Sequence, residues 1–167
     1  MKASKLLEII RENLKDYDIE YVRNKVTDDR YKDPLTKKLA KYNSETYDDI
    51  YGIDIVDDFE IKDALINNLK KDIGFYFDTY AGGDEETKYF TENLSLYLAL
   101  IAKKPLHPFS EDKKDDIFFT DGEFYCKGRA QYIHDKNTLC KYCVSKNMPF
   151  NMKKKKKTSI KSLYKLK

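Results

Sequence analysis

The sequence predicts a mostly α-helical protein, with a helical bundle body followed by a small C-terminal β-hairpin and a short helix that carries a Cys/His cluster. Apolar residues recur at helical spacing through the first hundred residues. After Pro105, an Asp-Gly pair separates two short apolar runs, and all three cysteines follow that pair. A chain of 167 residues is long enough for one domain with a sizeable core. We therefore expect one domain over 1–150, with the Cys/His unit at about 105–147 and a separate tail at 151–167.

The body is expected to contain amphipathic helices with recognisable ends. Asp33 followed by Pro34 is a typical helix start, since Asp accepts backbone hydrogen bonds and proline suits the first helical position. The segment from Asp84 to Lys103 is the most apolar, and Pro105 stops it, so we interpret it as the central helix. The predicted helices, in chain order, are 3–17, 18–27 (a continuation or a second short helix), 33–52, 57–80 and 84–103.

The C-terminal unit is predicted from turn chemistry. Asp121-Gly122 lies between the runs Ile-Phe-Phe-Thr and Glu-Phe-Tyr-Cys, which is a strong hairpin signal. The returning strand ends at Cys126, and the segment 135–147 is expected to form a short helix carrying Cys140 and Cys143. His107 lies in a proline turn, between Pro105 and Pro108, just before the hairpin.

The cysteine spacing, Cys126-x13-Cys140-x2-Cys143, indicates a metal site. Two residues between ligands let both sulfurs face one ion, and structural zinc takes four thiolate or imidazole ligands at tetrahedral angles. Either histidine could supply the fourth. His134 is favoured by compactness, because it lies within the cysteine loop, whereas His107 is favoured by the turn that leads into the hairpin.

Other interpretations of the cysteines stay open at this stage. A cysteine is often a small buried apolar residue without a ligand. Three cysteines could also hold an iron–sulfur cluster, although the usual ferredoxin spacings are absent. A redox pair formed by Cys140 and Cys143 is a further alternative, but the sequence lacks the βαβ context in which such pairs usually occur.

Three short stretches resemble an archaeal family known mainly from methanogens, uncharacterised protein family 0305 (domain of unknown function 2115). They are Leu-His-Pro at 106–108, Glu-Phe-Tyr-Cys at 123–126 and Thr-Leu-Cys-Lys-Tyr-Cys-Val-Ser-Lys-Asn at 138–147. The resemblance implies a helical N-terminal part and a ligand set of His107, Cys126, Cys140 and Cys143, and it has no counterpart for His134. It implies no activity.

This sequence departs from the family pattern at two places. Residues 109–113, Phe-Ser-Glu-Asp-Lys, stand where the family is rich in glycine and proline, and Lys127 stands where a proline tends to follow the first cysteine. Both departures concern loop conformation rather than the ligand set.

Charge is divided unevenly along the chain. Residues 151–167 carry eight lysines and no acid, which leaves 24 basic and 29 acidic residues before them. The tail is therefore expected to be disordered and could bind nucleic acid through Lys153, Lys154, Lys155, Lys156 and Lys157. The longest apolar run, 94–102, is too short to cross a bilayer, so no membrane association is expected. An odd number of cysteines without a secretory signal predicts a cytoplasmic protein.

The function predicted from these features is a metal-stabilised, zinc-containing helical domain that binds a protein partner without catalysis. Nucleic-acid association through the tail, or redox chemistry at an iron–sulfur cluster, are the alternatives. The acids Glu45, Asp48 and Asp49 are interpreted as a solvated helix face, and no catalytic residue is assigned. The sequence contains no glycine-rich phosphate loop and no HExxH motif, which argues against an enzyme.

Overall fold

Five α-helices form the body in the part of the chain that this computed structural model describes, residues 1–55 and 57–149. The predicted segment 18–27 is a separate second helix rather than a continuation of the first. The helices, in chain order, are α1 (Ala3–Leu14), α2 (Ile19–Thr27), α3 (Pro34–Gly52), α4 (Asp63–Tyr76) and α5 (Glu85–Leu96).

The predicted cap at α3 is confirmed, and α5 begins after Asp84, where the central helix was predicted to start. The Asp33 carboxylate accepts hydrogen bonds from the backbone N–H groups of Leu35 and Thr36, and Pro34 occupies the first turn. Asp84 accepts from the N–H of Thr87 at 2.6 Å. Each carboxylate satisfies N–H groups that have no partner within their own helix, which fixes where the helix begins.

Helix α5 is the centre of the core, as the sequence predicts. It continues as a π-helical turn over Tyr97–Ala102, and together the two segments contact α1, α3 and α4, while α2 packs on α3. Every residue from Asn93 to Ile101 is buried. The buried Asn93 is satisfied, because its amide accepts from Asn13 at 2.9 Å and donates to the carbonyl of Tyr89 at 2.8 Å. Nine consecutive buried residues place buried side chains on every side of this helix.

The prediction that a helix begins near residue 57 is wrong. Helix α4 begins at Asp63, and the preceding residues lie extended against the start of α1, where Lys2 and Glu60 form an antiparallel bridge. The Asp58 carboxylate accepts hydrogen bonds from the backbone N–H and the hydroxyl of Ser4. Asp58 therefore accepts hydrogen bonds from the first turn of α1, which is distant in sequence, instead of starting a helix of its own.

The hairpin is confirmed, with strands β1 (Ile117–Thr120) and β2 (Glu123–Cys126) paired antiparallel. Asp121 and Gly122 both have positive φ, at 53° and 79°, as a two-residue hairpin turn of type I′ requires. A two-residue strand that the sequence does not predict, β3 (Lys146–Asn147), pairs parallel to β2. The fold class, mostly helical with a small C-terminal sheet, is therefore confirmed.

The short helix predicted over 135–147 is wrong. One helical turn, α6 (Arg129–Tyr132), precedes it, and a single 3₁₀ turn (Leu139–Lys141) is followed by β3. Longer-range contacts outweigh helix propensity here, because the carbonyls of Cys140 and Cys143 accept hydrogen bonds from the Arg129 side chain. Of the two cysteines assigned to a helix, Cys140 lies in the 3₁₀ turn and Cys143 lies beyond it.

Two further predictions concern the membrane and the lysine tail. Within 1–55 and 57–149, no helix combines the length and the apolar character that crossing a bilayer requires. The lysine tail, including Lys153–Lys157, lies outside the described residues.

Candidate metal centre

The C-terminal sheet brings the three cysteines into one unit. Cys126 ends β2 and pairs there with Asn147 of β3, four residues after Cys143. All three cysteines are free thiols and half-buried. The segments that carry Cys126 and Cys143, seventeen positions apart in the sequence, are therefore neighbours in the fold, because β3 adds to the sheet beside β2.

The pKa of the Cys126 thiol depends on its burial and on the other two cysteines. Burial raises the pKa of the Cys126 thiol, hydrogen bonds from the backbone N–H groups of Gly128 and Arg129 oppose that rise, and Cys143 and Cys140 raise it further. The two N–H groups would stabilise a negative sulfur. The same neighbourhood thus combines thiols within electrostatic range of one another and donors suited to a thiolate.

Arg129 holds the two-cysteine turn in place. Its Nη1 donates to the carbonyl oxygen of Cys140 at 2.5 Å and to that of Cys143 at 3.2 Å. One guanidinium therefore donates to the backbone at both ends of the Cys-x-x-Cys sequence. The planar, multi-donor guanidinium suits this task better than an ammonium would.

The turn is also attached to the helical body. The two residues between Cys140 and Cys143 both reach Asp72 on α4, where Tyr142 donates to the carboxylate at 2.5 Å and Lys141 pairs with it at 2.7 Å. Burial acts to raise the pKa of the Asp72 carboxyl, but the hydrogen bonds from Lys141 and Tyr142 outweigh it, so that the pKa lies below its usual value. This contact fixes the position of the turn relative to α4.

His107 approaches the same region from the proline turn. The carbonyl of Pro105 accepts a 2.7 Å hydrogen bond from the hydroxyl of Tyr42 on α3. Burial raises the pKa of Tyr42. Tyr42 therefore attaches the segment that carries His107 to α3. His107 is exposed, although the protein atoms around it desolvate the imidazole and lower its pKa.

His134 lies in a different setting. It is exposed in the loop between α6 and the 3₁₀ turn. Thr138 closes that loop on itself by donating from its hydroxyl to the carbonyl of Tyr132 at 2.9 Å. The structure thus places both histidines at the surface, and among the described residues neither makes a hydrogen bond to a cysteine.

The side chains, as placed, do not form a ligand set. Among the described residues, no group of three or more His, Cys, Asp or Glu side chains is arranged to hold a metal ion. The fold brings the strand that ends at Cys126 beside the strand that follows Cys143, but the donor atoms of the candidate ligands are not assembled among the described residues.

Sequence reasoning missed three residues that organise this unit. Asp72 and Tyr42 lie in predicted helices and give no local signal. Arg129 does give one, because it is the only arginine after residue 30 in a chain with 28 lysines and four arginines. An isolated arginine beside a cysteine, in a chain that otherwise uses lysine, is a sign of a position that requires a guanidinium.

Fold and site together define a small helical domain that ends in a cysteine-bearing hairpin unit. The chain belongs to the archaeal family described as "Uncharacterized protein conserved in archaea" (DUF2115), whose profile matches residues 2–148. This confirms the family resemblance of the sequence. A UPF0305 protein of Methanocaldococcus jannaschii is 29% identical over 163 residues, which covers 89% of this chain and 98% of that relative. No solved structure matches the chain.

Proposed function

We propose that the protein is a metal-stabilised interaction domain, in which Cys126, Cys140, Cys143 and His107 hold one zinc ion that orders the C-terminal unit. The observation that carries the proposal is the convergence on Cys126. The strand that ends at Cys126 pairs with β3, and Arg129, three residues after Cys126, donates to the carbonyls of Cys140 and Cys143. These contacts bring together the backbone segments that carry the three cysteines.

The donor set fits zinc in its chemistry. Three thiolates and one neutral imidazole are a common ligand set for structural zinc. Such a site would carry a net charge of about −1, which the Arg129 guanidinium beside it and Lys141 in the turn would offset. Ligation needs thiolates, so loading the site would release protons from the cysteines.

The chain's own residues would hold the backbone that carries the donors. Arg129 fixes the backbone of the Cys-x-x-Cys turn, Asp72 anchors that turn on α4, and Tyr42 holds the carbonyl of Pro105. A site with four protein ligands leaves no open position for a substrate, and it stabilises the fold instead. The domain would then act by binding a partner, without catalysis.

Ligand variants test the proposal. Full-length protein with Cys126→Ser should lose the metal, and His107→Ala should retain much less of it than the wild type. His134→Ala is the matched control and should retain it, because the family resemblance has a counterpart for His107 and none for His134. Loss of the metal in His134→Ala alone would reverse the choice of fourth ligand. Retention in Cys126→Ser would contradict the whole ligand set, and iron in place of zinc would favour an iron–sulfur cluster.

A further inference from the structure

The segment that follows His107 joins the C-terminal sheet. Ser110 lies beside β1, where its N–H donates to the carbonyl of Ile117 at 3.3 Å and its own carbonyl accepts from the N–H of Phe119 at 2.8 Å. These two bonds form a parallel bridge between Ser110 and Phe118. They hold the backbone three residues after His107 against the edge of β1 that does not pair with β2.

The direction of this bridge places the His107 segment at one end of the hairpin. Because Ser110 pairs parallel to β1, the chain that precedes it lies toward Ile117, the first residue of that strand. Ile117 is the register partner of Cys126, whereas the Asp121-Gly122 turn lies at the opposite end of the two strands. The backbone from His107 to Ser110 therefore approaches the sheet from the end where Cys126 lies.

An aromatic ring fixes this segment on one face of the hairpin. The ring of Phe109 packs edge-on against that of Phe124 on β2, with centroids 4.8 Å apart and planes at 73°. Phe124 in turn lies 4.8 Å from Phe119, its register partner on β1. Since alternate residues of a strand project from the same face, Phe124 and Cys126 share one face of β2. Phe109, two residues after His107, is therefore on the face of the hairpin that carries Cys126.

The segment is held on its other side by α3. The carbonyl of Pro105, which is fully buried, accepts a hydrogen bond from the hydroxyl of Tyr42. The ring of Tyr42 also meets that of Phe109, with centroids 5.8 Å apart. Residues 106–108 are therefore fixed at both ends, with His107 in the middle. A stretch of three residues held in this way has few backbone conformations, so little entropy is lost when its central side chain becomes a ligand.

We propose that Phe109 is a positioning residue for His107, which it keeps at the Cys126 end of the hairpin, where the histidine can complete the ligand set. This inference rests on the proposed metal site. Phe109 has no donor atom and acts only through the histidine. An aromatic ring suits this task, since its contacts with Phe124 and Tyr42 join the hairpin to α3. Residues that hold a ligand in place typically change metal affinity about 10–100-fold when they are replaced.

The zinc affinity of the full-length protein tests this role, measured by competition with a chromophoric chelator. We expect Phe109→Ala to raise the zinc Kd at least about tenfold. In a His107→Ala background the same substitution should cause no further loss, because Phe109 acts through that ligand. Phe109→Leu, which keeps apolar bulk without the ring, should raise the Kd by a smaller but measurable factor. It carries the test if circular dichroism shows that Phe109→Ala does not fold.

Tyr125→Ala is the matched control. It removes a half-buried ring from the opposite face of the same hairpin, where Tyr125 stacks on Phe118 at 5.8 Å, and it should leave the zinc Kd unchanged. An equal loss in Tyr125→Ala, an unchanged Kd in the Phe109 variants, or a further loss when Phe109→Ala is added to His107→Ala would overturn the inference and leave the metal site standing. An unchanged Kd in His107→Ala would overturn it by removing its ligand. A wild type that binds no zinc would instead contradict the proposed function, and the positioning role with it.

Discussion

The Nη1 of Arg129 donates a 2.5 Å hydrogen bond to the backbone carbonyl of Cys140, eleven residues further along the chain. The same carbonyl also accepts the backbone N–H of Cys143 at 3.2 Å, within a single turn. The bond from Arg129 closes a loop that brings a residue shortly after Cys126 against the Cys-x-x-Cys turn. Arg129 is therefore the residue that most directly keeps the candidate ligands in one place.

Replacing Arg129 with lysine should destabilise the protein although the charge is kept. A lysine ammonium has no planar fork with which to hold the two carbonyls, so partly buried acceptors would lose their donor. We expect the free energy of unfolding in urea to fall by about 1–3 kcal/mol. Arg30→Lys is the control, because Arg30 is an exposed partner of Asp28, and it should change stability by less than about 0.5 kcal/mol. Equal effects of the two substitutions would contradict the role of Arg129.

Replacing Asp72 with asparagine should weaken the attachment of the turn to α4 in a pH-dependent way. Since hydrogen bonds from Lys141 and Tyr142 outweigh burial, the folded-state pKa of Asp72 lies below its unfolded value, and the carboxylate stabilises the fold above that unfolded value. The wild type should exceed the variant by about 1 kcal/mol at pH 7. The advantage should disappear as the pH falls below about 4, through the folded pKa of Asp72.

Chemical denaturation at several pH values between 7 and 3 measures this difference. Glu8→Gln, at an exposed ion pair on α1, is a control that should change little over the whole range. An advantage of the wild type that grew towards low pH would contradict the proposed direction of the Asp72 shift.

Two glycines provide a matched test of the hairpin turn. A methyl group at either Gly52 or Gly122 would meet nothing within 4 Å, but Gly122 has a φ of 79° whereas Gly52 lies in the last turn of α3. Gly122→Ala should therefore lower the free energy of unfolding by about 1–2 kcal/mol. Gly52→Ala should raise it by about 0.5–1 kcal/mol, through helix propensity and a less flexible unfolded chain. Urea denaturation of both variants measures the two effects, and a sign shared by both would contradict the turn type.

Local chemistry explains what could be predicted from the sequence. The Asp33-Pro34 start, the helix start at Asp84, the central helix and the Asp121-Gly122 turn each depend on residues a few positions apart, and all are confirmed. The cysteine spacing likewise marked the segment that the fold gathers into one unit. Whether a metal binds there stays a prediction.

The errors occur where distant residues decide the backbone. Residues 57–62 have the acids of a helix start, but their backbone pairs with the first residues of the chain, as when Ala3 donates to the carbonyl of Phe59. Segment 135–147 forms only isolated turns of its own, and the Arg129 side chain donates to the carbonyls of Cys140 and Cys143 from outside it. Neither partner could be identified from local periodicity, because each lies outside the window over which periodicity is read.

Elemental analysis of the full-length protein tests the central proposal most directly. The protein is expressed in medium supplemented with zinc and iron, purified without chelators, and its transition metals are measured by mass spectrometry. The proposal predicts about one zinc per chain, and removing that zinc with a chelator should lower the thermal midpoint. Less than about a third of an equivalent of any transition metal would contradict a site with these four ligands.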